Sequence, residues 1–364
     1  MKASVATALD LPYPSPGGSV ELFLDLYTGH RPLIPARAFM LAAGSGETPF
    51  PQGLRNLNVS GKCVEGPGFP PYVRALSRAL EDAVNPADIS TLHLHHLAFG
   101  ASPALLAALP KARRIALVHG TDLLYAEMYA DQRAVLRHCA DAADVIVVPT
   151  SAMADRLLAL APPARPKIEH IPWGVPDALL ATPPEPSRTP RASHLRLLYA
   201  GRLTPEKGVE NLLHALVVIP DVELSVAAPP SQFSALAPLL HELGVHVTYL
   251  GWLRRPQLWT TFRGYDALVM PSSTLEAMGL VALEAQACGL PVIYQPVLGL
   301  NESLAASGLT TDFTNPTALA RDINRLRTTP GMVDALREAG YANAARYPLS
   351  TTASALTALG DPLG

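Results

Sequence analysis

The chain has 364 residues, 49% of them apolar and 16% charged, with a formal net charge of −3. That length buries a large core and fits two domains, and the near-neutral balance argues against a nucleic-acid partner. No uninterrupted apolar stretch is long enough to span a bilayer.

The three cysteines, Cys63, Cys139 and Cys288, have neither a disulfide framework nor metal-ligand spacing. With no signal-peptide pattern at the N-terminus, they predict reduced thiols in the cytoplasm. In chain order, Ala3–Leu9 is the first predicted strand. The adjacent Gly17-Gly18 follows, and a helix covers Leu22–Tyr27. Two residues without side chains let backbone approach a ligand closely. Gly44-Ser45-Gly46 lacks a third glycine at the right spacing, so the dinucleotide-binding fingerprint fails. Ile89–His96 alternates like a strand, with His93 and His95 on one face and His96 on the other. That is no compact metal-ligand set. His96 is expected to line a cleft, and His93 and His95 to be structural. A helix over Ala101–Leu109 comes next.

Ile115–Val118 is an apolar strand ending in His119-Gly120-Thr121-Asp122, and Asp144–Ser151 reads as a further strand and turn. Prolines cluster from Pro162 to Pro190 in a stretch that can hold neither a long helix nor a central strand. It reads as a crossing between domains and an exposed loop. From Leu195 the alternation of strand and helix resumes, which argues for a second parallel doubly wound sheet. Leu197–Ala200 leads into Gly201-Arg202-Leu203-Thr204-Pro205-Glu206-Lys207-Gly208, and Val209–Leu216 has helical apolar spacing. Arg202 offers a planar fork suited to phosphate and Lys207 a compact point charge.

Ala267–Met270 reads as a buried strand. Ser272, Ser273 or Thr274 is expected to cap a helix beginning near Glu276 and ended by Gly289 and Pro291. On such a helix Glu276 and Glu284 lie about 12 Å apart along the axis, and the free N–H groups at its start form an anion site. Hydroxyls at both ends of a ligand with negative charge between them describe a nucleotide-sugar. Val292–Tyr294 starts the next strand, and residues 348–359 carry a weak helical pattern.

The two C-terminal motifs resemble those of GT-B-fold glycosyltransferases, specifically the retaining type grouped as glycosyltransferase family 4. The G-R-L-x-x-x-K-G loop at 201–208 and the E-x7-E signature at 276–284, followed by Ala287-Cys288-Gly289-Leu290-Pro291-Val292-Ile293, carry the likeness. Gly17–Glu21, His119–Asp122, Asp144–Ser151, Asp266–Ser272 and Gly299–Glu302 extend it over most of the chain. The resemblance implies an α/β fold: GT-B, two Rossmann-like doubly wound parallel-sheet domains facing across a cleft. The acceptor domain would span residues 1–172, with a terminal helix in 345–364 packing back on it, and the donor domain 173–344.

It further implies that Arg202 and Lys207 hold the donor diphosphate, Glu276 the donor sugar and Glu284 the ribose diol. The backbone of Ala277, Met278, Gly279 and Leu280 would face sugar and phosphate, and Gly17 and Gly18 the phosphate or acceptor. His119 would contact the donor sugar near the reacting centre. Asp122 and His96 would stand on the acceptor side. Trp252 falls where the family's loop lies near the base; stacking on the base and plain packing both stay open. No Asp-x-Asp occurs, so no metal and no other cofactor are expected. At the crossing the family pattern Pro-Asn-Gly-Val-Asp is replaced by Pro172-Trp173-Gly174-Val175-Pro176-Asp177.

The expected activity is transfer of a hexose or aminohexose, with retention, from a nucleotide-sugar that is UDP-linked rather than GDP-linked, to a small soluble acceptor. Residues 8–19 resemble glycosyltransferases of aminoglycoside antibiotic biosynthesis, which points to an aminocyclitol or pseudosaccharide acceptor. No membrane insertion is expected, there being no strongly basic amphipathic helix. A nucleotide-sugar epimerase of the same fold and a non-catalytic nucleotide-sugar sensor remain as alternatives.

Overall fold

The computed structural model describes residues 4–42, 49–184 and 194–360. Ala3, the Gly44-Ser45-Gly46 segment, the end of the proline run with Pro186 and Pro190, and the last four residues lie outside these. The chain divides into two compact units, one of residues up to Trp173 together with Leu349 onward, the other Gly174–Pro348.

The first unit is built on strands β1 (Val5–Tyr13), β2 (Ala36–Ala42), β3 (Leu54–Leu57), β4 (Thr91–His95), β5 (Arg113–Leu117), β6 (Val145–Val148) and β7 (Ile168–His170). They form one seven-stranded sheet in the order β3-β2-β1-β4-β5-β6-β7, with every pairing parallel. Strands buried on both faces read as apolar runs because helices cover each side. The order reverses between β1 and β4, and open α/β sheets bind ligands at the carboxyl ends of strands at such a switch. The Gly17 loop follows β1, and His96 follows β4.

β1 runs four residues beyond the predicted Leu9, through Pro12 to Tyr13. A proline is tolerated in this central strand because the register with β2 shifts between Leu9 and Pro12. The helix Leu349–Gly360 belongs to this unit, where the Arg113 guanidinium donates to the Leu359 carbonyl and the Thr352 hydroxyl to the Pro172 carbonyl.

The second unit contains β8 (Leu195–Ala200), β9 (Val222–Ala227), β10 (Val247–Gly251), β11 (Ala267–Met270), β12 (Val292–Tyr294) and β13 (Leu309–Thr310). Their order, β10-β9-β8-β11-β12-β13, is again all parallel and again reverses once, between β8 and β11. Leu197, Tyr199, Val226, Val269 and Ile293 from the strands pack on Leu212, Leu213 and Ala215 of the helix Val209–Leu216. This β8/β11 switch is where both C-terminal motifs emerge.

One predicted element is corrected. The helix expected from Glu276 begins only at Leu280 and ends at Ala287. Its N-cap is Gly279 in the left-handed region at φ 67°, and no serine or threonine side chain caps it. Glu276 therefore lies in the loop before the helix, and the 12 Å axial spacing of the two glutamates does not apply. A Cβ on Gly299 would stand 1.6 Å from the Glu276 carbonyl oxygen, so the chain turns here against a neighbouring backbone segment. That tertiary approach overrides the capping signal in Ser272–Thr274.

Candidate functional site

At the β8/β11 switch, two loops are locked together. The Ser273 N–H donates to the Glu206 carbonyl at 2.9 Å. Gly208, at φ 65°, lies so close that a Cβ would meet the Pro271 carbonyl oxygen at 2.1 Å. Only glycine fits both the conformation and the space.

This docking brings Lys207 to Glu276. The ammonium donates to Glu276 Oε2 at 2.5 Å, and the Ser272 hydroxyl donates to the same oxygen at 3.2 Å. An ammonium has three N–H donors, so two remain for other partners. Arg202, on the same loop, stands 3.9 Å from Glu206, whose Oε1 also accepts from the Thr204 hydroxyl at 2.6 Å. The Tyr199 hydroxyl donates to the Arg202 carbonyl and fixes the loop's start.

The first turn of the helix at Leu280 adds N–H groups that have no partner within the helix. Met278 and Leu275 are buried beneath the loop, and a Cβ on Gly279 would meet Leu300 at 2.5 Å. Ala277, Met278, Gly279 and Leu280 thus form a tightly packed entry to a helix N-terminus, next to Glu276 and the ammonium it accepts from. Such an arrangement attracts an anion.

Glu284 differs from a free carboxylate awaiting a diol. It is 3% exposed. Its Oε1 meets the Arg255 guanidinium at 2.7 Å, and its Oε2 accepts the Trp259 indole N–H at 2.9 Å. A carboxylate has about four lone-pair positions, so two stay open. Sequence reasoning missed both partners. Arg255 and Trp259 are four apart on the helix Arg255–Phe262 and so share a face, a spacing that could have singled them out. Trp252, by contrast, is partly exposed, with no ring stacked on it among the described aromatic contacts.

The first unit gathers imidazoles. The His119 and His95 rings lie within 17° of parallel with centroids 5.0 Å apart, joined edge to edge by His95 Nδ1 at 2.9 Å from His119 Nε2. His96 approaches His119 at 4.7 Å, and Trp173 stacks on it at 5.6 Å and 25°. His95 Nε2 reaches the Tyr27 hydroxyl at 3.0 Å, and that hydroxyl reaches His93 Nδ1 at 2.8 Å. Burial holds all three bases neutral at pH 7: it pushes His119 down to about 3 and His93 down to about 4, and neighbouring imidazoles depress His95 further.

His96 is 4% exposed, with φ 66°. A non-glycine residue there is strained by on the order of 1–3 kcal/mol. It packs edge-on against Phe99 rather than lining an open surface. Asp122 is fully buried. Its Oδ2 accepts from the Leu97 N–H at 2.9 Å and its Oδ1 from the His119 N–H at 3.2 Å. Asp122 therefore ties the backbone that carries His119 to the backbone that follows β4.

Gly17 adopts φ 146° as N-cap of the helix Gly18–Tyr27, and a Cβ there would meet nothing within 4 Å. Gly18 opens that helix. No group of three or more metal-ligating side chains occurs among the described residues. No helix among them is long and apolar enough to cross a membrane.

Residues 36–179 match the family model described as Glycosyltransferase Family 4, and residues 188–343 the model described as glycosyl transferases group 1. Together the two matches span most of the chain. The chain belongs to the GT-B glycosyltransferases of group 1, family 4 type.

Solved structures share the fold of this family 4 chain throughout. Sucrose-phosphate synthase from Thermosynechococcus elongatus superposes with a TM-score of 0.77 at 18% identity, covering 98% of this chain and 97% of that one. HepE of Anabaena, solved with UDP and glucose, gives 0.75 at 17%, covering 98% of each. Among curated relatives, a D-inositol 3-phosphate glycosyltransferase of Segniliparus rotundus is 35% identical over 173 residues, 44% of this chain and 38% of that protein. The chain thus matches less than half the length of that relative. A D-inositol 3-phosphate glycosyltransferase of Catenulispora acidiphila is 28% identical over 309 residues, covering 75% of this chain and 72% of its own.

Proposed function

We propose that the protein is a retaining glycosyltransferase that moves a hexosyl group from a UDP-sugar to a hydroxyl of a small polyhydroxylated ring. The observation that carries this reading is the docking of the 201–208 loop on the 271–279 loop at the β8/β11 switch. It joins Lys207 to Glu276 in the loop that leads into a helix N-terminus, with Arg202 on the same docked loop as Lys207.

Arg202 and Lys207 would bind the donor diphosphate. Cleavage of the sugar–phosphate bond builds negative charge on the leaving group, and fixed cations stabilise that charge in the transition state. Glu276, held by Lys207 and Ser272, would accept from sugar hydroxyls. Glu284 takes the ribose diol through its two remaining lone-pair positions, with Arg255 and Trp259 fixing its direction. The cations take over the charge neutralisation that a metal supplies elsewhere, so a chelator is expected to leave turnover unchanged.

The acceptor class rests on two supports. The relatives are named for inositol phosphate as acceptor, and residues 8–19 resemble sequences from aminoglycoside assembly. Both describe hydroxylated cyclohexanes.

The experiment is a thermal-shift screen against UDP-, GDP-, ADP- and dTDP-sugars, followed by product analysis with inositol phosphates and aminocyclitols. A ligand that binds only the folded state raises the melting temperature. A shift with UDP-sugars and a glycosylated cyclitol support the proposal. A converted donor in the absence of acceptor would instead mark an epimerase, binding without turnover a sensor, and no shift with any donor would overturn the donor site.

A further inference from the structure

Behind His119 lies a hydrogen-bonded chain that the transfer chemistry above does not use. It runs His119 Nε2, His95 Nδ1, His95 Nε2, Tyr27 hydroxyl, His93 Nδ1, with links of 2.9, 3.0 and 2.8 Å. Four groups from the helix Gly18–Tyr27, from β4 and from the turn after β5 converge on it. Tyr27, His93 and His95 are each no more than 1% exposed.

Each neutral imidazole has one N–H and one lone pair. The phenol has one O–H to give and lone pairs to receive. The phenol oxygen has lone pairs to accept from both imidazoles, but its own buried O–H would then have no acceptor among the described residues. With that O–H kept in a link, three links share three protons, one per link, and every donor points the same way along the chain.

The far end decides the direction. His93 Nε2 is buried and has no hydrogen-bond partner among the described residues. A buried N–H without a partner is rarer in folded proteins than an under-used acceptor, and leaving a buried donor unsatisfied costs about 1–3 kcal/mol. His93 accordingly keeps its proton on Nδ1 and donates to the Tyr27 oxygen. Tyr27 then donates to His95 Nε2, and His95 Nδ1–H donates to His119 Nε2.

We propose that Tyr27, His93 and His95 are positioning residues that lock His119 as the Nδ1–H tautomer, so that His119 offers a hydrogen-bond donor, and not a base, to its ligand. The chain stands on the geometry alone; its meaning for a ligand rests on the proposed function, where the partner is an oxygen of the transferred sugar or of the acceptor. The nearly coplanar hydrogen bond to His95 and the Trp173 ring stacked at 5.6 Å hold the ring plane. Trp173 fills the place of the asparagine in the family pattern.

The test needs no donor or acceptor and so cannot fail merely because the proposed activity is wrong. Long-range 1H–15N spectra of 15N-histidine-labelled protein at pH 7 report the tautomer of each imidazole, with assignments from single His→Gln variants. Histidines 93, 95 and 119 are expected as three Nδ1–H tautomers, the minor form of imidazole in water. Tyr27→Phe removes the only hydroxyl in the chain. It should let His95 and His119 shift toward Nε2–H together while the backbone spectrum stays in place. An Nε2–H tautomer at any of the three in the unaltered protein would overturn the proposal. So would a His119 signal that Tyr27→Phe does not move; if that variant fails to fold, the tautomers of the unaltered protein still decide.

Discussion

Gly299→Ala tests whether the position of Glu276 matters, without touching any polar group. Gly299 is the second residue of the helix Leu298–Leu304. Its added Cβ would lie 1.6 Å from the Glu276 carbonyl oxygen, 2.8 Å from the carbonyl carbon and 3.3 Å from the Ala277 oxygen. Reaching an ordinary contact requires the 276–277 backbone and the helix to separate by about 2 Å, and overpacking of this kind typically costs about 1–3 kcal/mol. Displacing a substrate-holding group by about 1 Å slows a reaction by roughly 100-fold. The variant should therefore fold with a melting temperature lowered by several degrees and lose about two orders of magnitude in sugar transfer. The assays are thermal unfolding, titration with UDP and UDP-glucose, and donor turnover. Gly264→Ala, whose Cβ would meet its nearest neighbour at 3.4 Å, serves as the control and should behave like the parent. Full turnover by a folded Gly299→Ala protein would refute the reasoning, since Glu276 would then be displaced without consequence.

Lys207→Met removes the ammonium from Glu276 and from the proposed diphosphate while keeping the length of the side chain. Turnover should fall by roughly 100-fold or more, as on loss of a preorganised charge, and the loss should appear in kcat more than in donor affinity. Trp259→Phe deletes the N–H that Glu284 accepts at 2.9 Å. It should weaken binding of free UDP by up to about 1.5–3 kcal/mol in a titration, the scale of a hydrogen bond to a charged group, while Trp252→Phe does less. Acid should destabilise the first unit before its carboxylates titrate. His119 and His93 are lowered to about 3 and 4 from an ordinary 6.5, so the unfolded state binds more protons between these values. Stability is then flat above pH 6.5 and falls below it, by up to about 1.4 kcal/mol per pH unit for each buried imidazole. Denaturant unfolding at pH 7 and pH 5 checks the sign; equal or greater stability at pH 5 would contradict buried neutral histidines.

The sheets were legible because buried parallel strands such as Leu197–Ala200 and Ala267–Met270 are short apolar runs with glycine or proline at their ends. The helix Val209–Leu216 was legible for a related reason: its apolar residues recur at helical spacing and tertiary contacts agree with that pattern. The start of the helix after β11 was not. Three capping candidates precede Glu276, but the carbonyl at Glu276 abuts Gly299, a residue 23 positions later, and local capping rules carry no knowledge of that contact.

The same distinction separates the site residues. Arg202, Lys207 and Glu276 stand in short motifs around a turn, and the fold brings Lys207 and Glu276 together. Glu284 was visible, yet its partners Arg255 and Trp259 come from another helix and were not. Asp122 was visible too, but not its backbone partners: one oxygen accepts the Leu97 N–H after β4 and the other the His119 N–H after β5. Strand alternation put His93 and His95 on one face correctly. That Tyr27 would bridge them, and that His119 would meet His95 Nδ1, depends on the packing of a helix against β4 and the turn after β5.

Hydrogen exchange with and without UDP-glucose tests the central claim most directly, because it reports where the donor binds as well as whether it does. The account predicts protection confined mainly to residues 201–208 and 271–284, lost in Lys207→Met. Binding that leaves both segments unprotected, or that protects other segments instead, would contradict a donor site at the β8/β11 switch.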